Sequence, residues 1–560
     1  MTSEFTPATD SGAAAGFGAT SRSGPAARFG TVSRFGTAGS STPRSTRWDV
    51  ARLTEPNRLW GANGIAFGPD GRLHVAQVLG GQISAVDTTS GDVEVVVGQD
   101  GPVRTPDDVA FGAGGEMYIA DIAPGRVWRR DAAGELDLVA SSVRLPNGIT
   151  CLGDRLFVNE MRPDGELVEL FGSGAEPALL TGGLAMGNAM QIGPDGKLYY
   201  PHMRTGQVWR IAPDGGVPEL AAEVGSPVAV RFDRAGTLVV LSTGPAGLIT
   251  RIDLASGNRT EVVTGIGGLD NAAFDDENRM FVSSFAHGGV MQVQQDGRSR
   301  EIVRRGLNGP YGIAAGRGGT VYAVDHFSLA RTTDSGAVAS VDVVGGGMPT
   351  FARGAAAVGD GLALSTVTGE VHAYDPQRRS TRRRASGLGE LTGIAVGPGG
   401  EVVVAASGSG RVLRLDESDE VQVLADGLDH PVGVAVDDAG ACYVGDDRRG
   451  QVLRLDDEPV VVADGLGEPQ GIAVLGDELL VIEVEHRWLR RICLRTGAST
   501  IEAEDLAVGL PPGGAEPPDG GGMTYRPPAF ADLAVAPDGS VLVAANGEGS
   551  VLRLRPPPTA

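Results

Sequence analysis

One phrase recurs along this chain about every 40 residues, and a repeat of that length restricts the fold more than any other feature. From Asn63 it reads Asn-Gly-Ile-Ala-Phe-Gly-Pro-Asp-Gly-Arg-Leu-His-Val-Ala-Gln. Versions begin at Asn63, Asp107, Asn147, Asn188, Val228, Asp270, Tyr311, Arg353, Thr392, Val432, Gln470 and Ala531. Each contains four short strand signals. In the first repeat these are a small apolar run (Gly64 to Phe67), an alternating run (Leu73 to Gln77), a third strand (Gln82 to Val86) and a Val-rich outer strand (Val93 to Val97). The Gly-containing turns between them supply the positive-φ positions that tight hairpins need. Four strands at this period describe a propeller blade. Twelve blades divide into two rings, because one ring of twelve would leave a wide, unfilled channel.

The expected fold is therefore all-β: two tandem six-bladed β-propellers, at 46–305 and 306–560. Ahead of them, 1–45 is rich in Gly, Ala, Ser and Thr, cannot bury a core and reads as a disordered tail. Trp48 to Leu53 reads as an outer strand that closes one of the rings, and 505–529, rich in Pro and Gly, as an insertion before the last repeat.

Lys plus Arg total 47 against 70 Asp plus Glu, a net charge of −23, which argues against nucleic acid as a partner. Lys197 is the sole lysine, and nothing around it suggests an activated amine. Cys151, Cys442 and Cys493 are odd in number and far apart, which reads as buried, inert thiols rather than a disulfide framework. No apolar stretch approaches a membrane span and the N-terminus lacks a secretory pattern, so the expectation is no membrane partner and a cytoplasmic location.

In a propeller the first residue of strand one and the last of strand two lie at the same mouth of the channel. In the first half the strand-one starts are Asn63, Asp107-Asp108, Asn147, Asn188, Val228 and Asp270-Asn271, Asn or Asp in five of six repeats. The strand-two ends are Gln77, Asp121, Glu160, His202, Ser242 and Ser284, all polar. The second half shows no comparable set: Tyr311, Arg353, Thr392, Val432, Gln470 and Ala531, with Asp325, His326, Asp446 and Glu483 scattered at strand-two ends. Converging amide and carboxylate oxygens suit a hard cation such as calcium, which takes six to eight of them. Turn chemistry alone accounts for one or two such residues, and less well for five.

The Asn-Gly-Ile-Ala-Phe and Pro-Asn-Gly-Ile strand starts, with Asp270-Asn271, resemble the six-bladed regucalcin/gluconolactonase and paraoxonase superfamily, whose fold strictosidine-synthase-like proteins share. The resemblance covers most of 48–300 as a site-bearing ring, and 306–560 in blade pattern only. It implies a divalent cation, usually calcium, at the channel mouth and hydrolysis of lactones or related esters. By that resemblance Asn147, Asn188, Asp270 and Asn271 are ligands, with Glu55 or Asn63 completing the shell and Asp108 among the strand-start oxygens. The chain departs from the pattern in carrying Asn63 where regucalcin-like members have an acid, and Val228 a blade before Asp270.

For hydrolysis of a small-molecule substrate, His202 is the first choice as base, since neutral imidazole accepts a proton near pH 7. Asp121 and Glu160 are the alternatives. A metal-assisted isomerase, cyclase or lyase uses the same parts. The rival from another class is a non-catalytic scaffold, with a protein partner on the second propeller.

Overall fold

The computed structural model describes residues 42–171, 175–333, 335–509 and 530–556. Among these the chain forms twelve four-stranded antiparallel sheets and no α-helix. The sheets are numbered 1 to 12 here in chain order. Sheet 1 is Ala62–Phe67, Leu73–Gln77, Gln82–Val86 and Val93–Val97, each strand hydrogen-bonded to the next. The repeat phrase sets this geometry. Gly71 and Gly81, in the turns on either side of the second strand, adopt φ of 75° and 60° or more, which a Cβ would strain.

The first strands of sheets 2 to 6 are Pro106–Phe111, Pro146–Leu152, Gln191–Ile192, Pro227–Phe232 and Leu269–Phe274. Each packs against the first strand of the following sheet, and that of sheet 6 packs back on that of sheet 1. Sheets 7 to 12 repeat the succession, with the first strand of sheet 12 on that of sheet 7. The apolar core accordingly lies between neighbouring sheets as a series of separate clusters. Ala76, Ile83, Val109 and Ile119 fill the gap between sheets 1 and 2, and Ile65, Val75, Phe281 and Val290 that between sheets 6 and 1.

Crowding of these first strands explains the glycine that follows so many strand starts. A Cβ on Gly312, Gly354, Gly393 or Gly471 would stand 2.6 Å from a carbonyl oxygen of the next first strand. Gly64 is pressed the same way, 2.7 Å from the carbonyl of Asp107. Where glycine stands second in the repeat, packing sets it in both halves of the chain, whereas Asp108 and Asn271 hold that position in sheets 2 and 6.

The segment Asp49–Arg52 supplies the fourth strand of sheet 12, pairing antiparallel with Ser550–Arg555. The expected closing strand therefore belongs with the last repeat, although 46–305 places it with the first half. Ordered pairing also begins slightly earlier than a tail at 1–45 implies, since Arg44 bridges Glu504. The rest of that tail, and 510–529 of the insertion, lie outside the described residues. Where the two halves adjoin, Asn57 donates to Leu307 O and Asn308 Oδ1, and Asn308 donates to Phe285 O and Ala286 O.

All three cysteines are free. Burial pushes the Cys151 and Cys442 thiols up to about 12, as inert thiols require. Cys151 and Cys493 are only half-buried, and Cys493 departs further from that reading, since a hydrogen bond to Thr496 lowers its pKa. No helix among the described residues is long and apolar enough to cross a membrane.

Candidate functional site

At the start of the first strands in sheets 1, 2, 3 and 6 the ladder is interrupted, between Ala62 and Ile65, Pro106 and Asp108, Pro146 and Ile149, and Leu269 and Ala272. Such bulges re-aim side chains. Here they turn strand-start residues toward a shared centre. Asn63, Asp107, Asn147 and Asn188 line one small cavity of about 10 Å³, enough for a single water or ion. Val78, Met161, Phe285 and Phe327 form the rest of its wall, Phe327 coming from sheet 7's end of the chain.

The polar atoms of this group are poorly matched to one another. Asn63 Nδ2 donates to Asp107 Oδ2 at 3.1 Å, while Asn63 Oδ1 is buried without a hydrogen-bond partner. Asn147 Nδ2 is spent on the Met161 thioether at 3.2 Å, and its Oδ1 is likewise buried and unpartnered. Asn188 Nδ2 meets Met203 Sδ at 3.2 Å, and its Oδ1 accepts from Ala189 N. Thioether sulfur is a weak acceptor, so these amides are not held by strong bonds to the protein. Orphaned buried oxygens are costly, and both belong to residues that line this small cavity.

One residue deeper lie Asp108 and Asn271. Asp108 Oδ1 accepts from Val109 N and Asn271 Nδ2, and Oδ2 from Ile149 N. Asn271 Oδ1 accepts from Arg231 Nη2, and Arg231 also donates to the carbonyls of Ala272, Met190 and Val230. Arg231 Nη2 stands 3.9 Å from Asp108 Oδ2. This buried guanidinium acts on two of the carboxyls, Asp108 and Asp270. Burial, with the neighbouring Asp108 charge behind it, pushes Asp107 up to about 8. Burial raises Asp108 to about 6 against the opposing pull of Arg231. Asp270 is raised well above the usual range by burial and by Asp107 and Asp108. Burial and mutual repulsion thus disfavour three ionised carboxyls here beside a single buried guanidinium.

The structure thus brings Asn63, Asn147 and Asn188 to one cavity, sets Asp270 within electrostatic reach of Asp107, and puts Asp108 and Asn271 below. It is Asp107 rather than Asp108 that reaches the cavity, because consecutive strand residues face opposite ways. Glu55 stays outside. Backbone bonds from Leu53 to Val551 and from Asn57 to Glu548 bury Leu53, Thr54 and Asn57 and leave Glu55 exposed, near Arg52.

Of the residues favoured for acid–base work, Asp121 and Glu160 are engaged with backbone and side-chain donors. Asp121 accepts from the backbone of Arg104 and Thr105, from Thr105 Oγ1 and from Trp128 Nε1. Glu160 accepts from Arg144 N, Arg162 Nε and Glu166 N. Both tie the end of strand two to the chain segment that enters the same sheet. Gln77 binds Trp60 N, Asp446 binds Asp429 N and Glu483 binds Gly467 N in the same way. Acids at this position in the second half, where no oxygen set exists, were the sign in the sequence that the position is structural. His202 is half-buried between Tyr200 and Trp209, each 5.7 Å away, with Nε2 buried and unpartnered. Burial lowers its pKa, so the ring is neutral at pH 7. It does not line the cavity, although the adjacent Met203 contacts Asn188. Lys197 is paired with Glu219 at the surface.

The residues that strand-start reasoning missed are Arg231, Met161, Phe285 and Phe327. Arg231 had a signal: it is the one charged residue where other first strands carry Ala66, Ala110 or Ala273. In the second half the equivalent centre is filled by packing. Tyr311, Val432 and Phe530 cluster there, and the Arg353 guanidinium lies 4.1 Å from the Tyr311 ring centre.

Among the described residues no three His, Cys, Asp or Glu side chains group as a metal site by themselves. The fit to a cation therefore rests on the asparagine oxygens together with Asp107. Two of those oxygens are orphaned and buried beside carboxyls short of positive charge, and a hard divalent cation answers both deficits.

No protein-family model and no curated protein matches the chain. Among solved structures, the extracellular domain of BT4673 from B. thetaiotaomicron is similar at 10% identity and a TM-score of 0.31, over 91% of this chain and 83% of that one. The tricorn protease is similar at 13% identity and a TM-score of 0.34, over 87% of this chain and 61% of that one.

Proposed function

We propose that the two successions of sheets form two six-bladed propellers, and that the first holds a divalent cation, calcium by its oxygen chemistry, at the mouth where Asn63, Asp107, Asn147 and Asn188 meet. The observation that carries this is the pair of orphaned oxygens, Asn63 Oδ1 and Asn147 Oδ1, on one ion-sized cavity. Asn63, Asn147, Asn188 and Asp107 would hold the ion, with Asp270 supplying charge from nearby. Arg231 positions Asn271 and Asp108 beneath them.

The activity we assign to this mouth is hydrolysis of a lactone or related ester. A bound divalent cation supplies polarisation of a carbonyl oxygen and stabilisation of the negative charge that develops on it. His202 is the base within this reading, being neutral at pH 7 with Nε2 uncommitted. Phe285 and Phe327 line the cavity beside the amides, an apolar wall that limits water there. That aromatic wall also favours a second reading, in which the ion ties blades together and the molecule is a scaffold.

Elemental analysis of the purified protein, a calcium-titrated thermal melt of wild type and Asn147→Ala, and a lactone panel test both. The expected results are about one equivalent of metal, a calcium-dependent rise in Tm that Asn147→Ala reduces, and turnover lost with chelator. Absence of metal together with a Tm indifferent to calcium overturns the site. Tight calcium without turnover of any lactone leaves the scaffold reading.

A further inference from the structure

The far ends of the same first strands enclose a second, larger cavity of about 340 Å³. That is within the range of small-molecule pockets, about 300–1,000 Å³. Its walls are Phe67, Phe111, Phe232 and Phe274, the closing residues of the first strands of sheets 1, 2, 5 and 6. Three of these rings are pinned edge-on by a neighbour: Phe67 by Phe281 at 5.5 Å, Phe111 by His74 at 5.0 Å and Phe232 by Tyr199 at 4.9 Å. The aromatic wall is therefore preformed rather than collapsed.

Its charge runs against that of the chain. The protein carries 70 acidic residues against 47 basic ones. Yet the charged residues on this cavity are two arginines, Arg231 and Arg234, with no Asp or Glu among the lining. Arg231 is fixed in the floor by its bonds to three carbonyls and Asn271, with Asp108 3.9 Å away as its counter-charge. Arg234 stands at the rim, its side chain 55% exposed and paired with Asp276, itself 95% exposed. Such an exposed pair contributes little and is readily exchanged for another anion. Gln191 lines the same space, and with its Oε1 accepting from Phe232 N it keeps an amide NH2 as donor.

We infer that this cavity is a second binding site, for a small carboxylic acid with an aromatic or alkyl body. The body lies among the phenylalanines, where burial of apolar area drives binding. The carboxylate meets Arg234 and the amide NH2 of Gln191, donors that favour an anion over neutral or cationic analogues. The site is separate from the strand-start cavity and stands whether or not that cavity holds a cation.

The test is isothermal titration calorimetry on the full chain with three probes of equal size: 4-phenylbutyrate, 4-phenylbutan-1-ol and 4-phenylbutylamine. Phenylbutyrate is expected to bind at one site, about tenfold or more tighter than the alcohol, with the amine weaker still. Ala110→Phe, which fills the cavity, should abolish binding. Arg234→Gln, a change at an exposed side chain, should bring the acid and the alcohol to equal affinity, and it carries the test if the filled variant does not fold. The inference is overturned if phenylbutyrate shows no saturable binding up to about 10 mM. Equal binding of acid and alcohol by wild type, or phenylbutyrate affinity unchanged in Arg234→Gln, overturns it as well.

Discussion

Arg231 sits where neighbouring first strands carry alanine, and its position was readable in the sequence as an Arg inside the run Pro-Val-Ala-Val-Arg-Phe. What it does there was not readable. Its guanidinium answers three backbone carbonyls, Asn271 and, at 3.9 Å, Asp108, and all but the Val230 carbonyl come from other repeats of the chain. Arg231→Met should cost about 3–5 kcal/mol, because it strands buried acceptors and leaves Asp108 and Asp270 without a counter-charge. Urea denaturation followed by circular dichroism checks this, and a loss below about 1 kcal/mol would mean the carbonyls find other donors. Asp107 teaches the same lesson more finely. The sequence offered Asp107 and Asp108 together, and only a bulge between Pro106 and Asp108 decides which of them meets Asn63. Bulges leave no mark in the pattern of apolar residues. Away from that group, Asp532 gives a pH effect at residue scale. Burial pushes it up to about 8. In the folded protein it stays protonated up to that pH, while in the unfolded chain it ionises near 3.8, as an ordinary aspartate does. Its contribution to stability is therefore whole below about pH 4 and is lost as pH rises through about 8. Wild type should be less stable at pH 8 than at pH 5 by a few kcal/mol, roughly. Asp532→Asn should flatten that fall, read from urea midpoints at the two pH values.

At the scale of one sheet, position in the repeat explains more than residue type. The end of strand two takes Gln77, Asp121, Glu160, Asp325, Asp446 or Glu483, and in each sheet the side chain accepts a backbone N–H from the segment entering that sheet. These residues looked like candidate acids and bases because a strand end at a channel mouth suits catalysis. Their real neighbours, the entering backbone amides, are invisible in the repeat because backbone donors have no letter. Asp121→Ala should cost about 2–4 kcal/mol by orphaning the Thr105 and Arg104 amides. Asp446→Ala, its counterpart in the second half, should cost a similar amount while leaving calcium affinity unchanged. Thermal melts and calcium titration of both variants separate a structural tie from a chemical role: a selective loss of turnover in Asp121→Ala with full stability would restore it as a catalytic candidate. Gly after the strand start belongs to the same class. Gly471→Ala would place a methyl 2.6 Å from Ala531 O, so the Asn-Gly phrase reports axial crowding as much as ancestry.

For the molecule as a whole, the first and last strands among the described residues meet in sheet 12. Asp49–Arg52 pairs with Ser550–Arg555, Arg52 binds Glu548 through both guanidinium arms, and Trp48 Nε1 donates to Glu502. The sequence showed that a closing strand existed but not its partner, since every outer strand presents a similar edge. This arrangement makes the halves unequal when cut apart. Residues 57–305 contain all four strands of each of sheets 1 to 6, whereas 306–560 lacks one strand of sheet 12. A fragment of 306–560 should therefore expose the edge of Ser550–Arg555 and the apolar side chains that Trp48 covers, and should aggregate. Appending residues 42–56 after residue 556 through a flexible linker should rescue it as a monomer with a cooperative melt, judged by size exclusion and circular dichroism. The 57–305 fragment keeps its strands but loses Phe327 and Val343, which pack on Trp60, Leu79 and Phe285. It should fold with a lowered Tm and bind a hydrophobic dye at the uncovered mouth. If 306–560 alone is monomeric and melts as well as the permuted chain, the terminal strand pairing does not hold sheet 12 together.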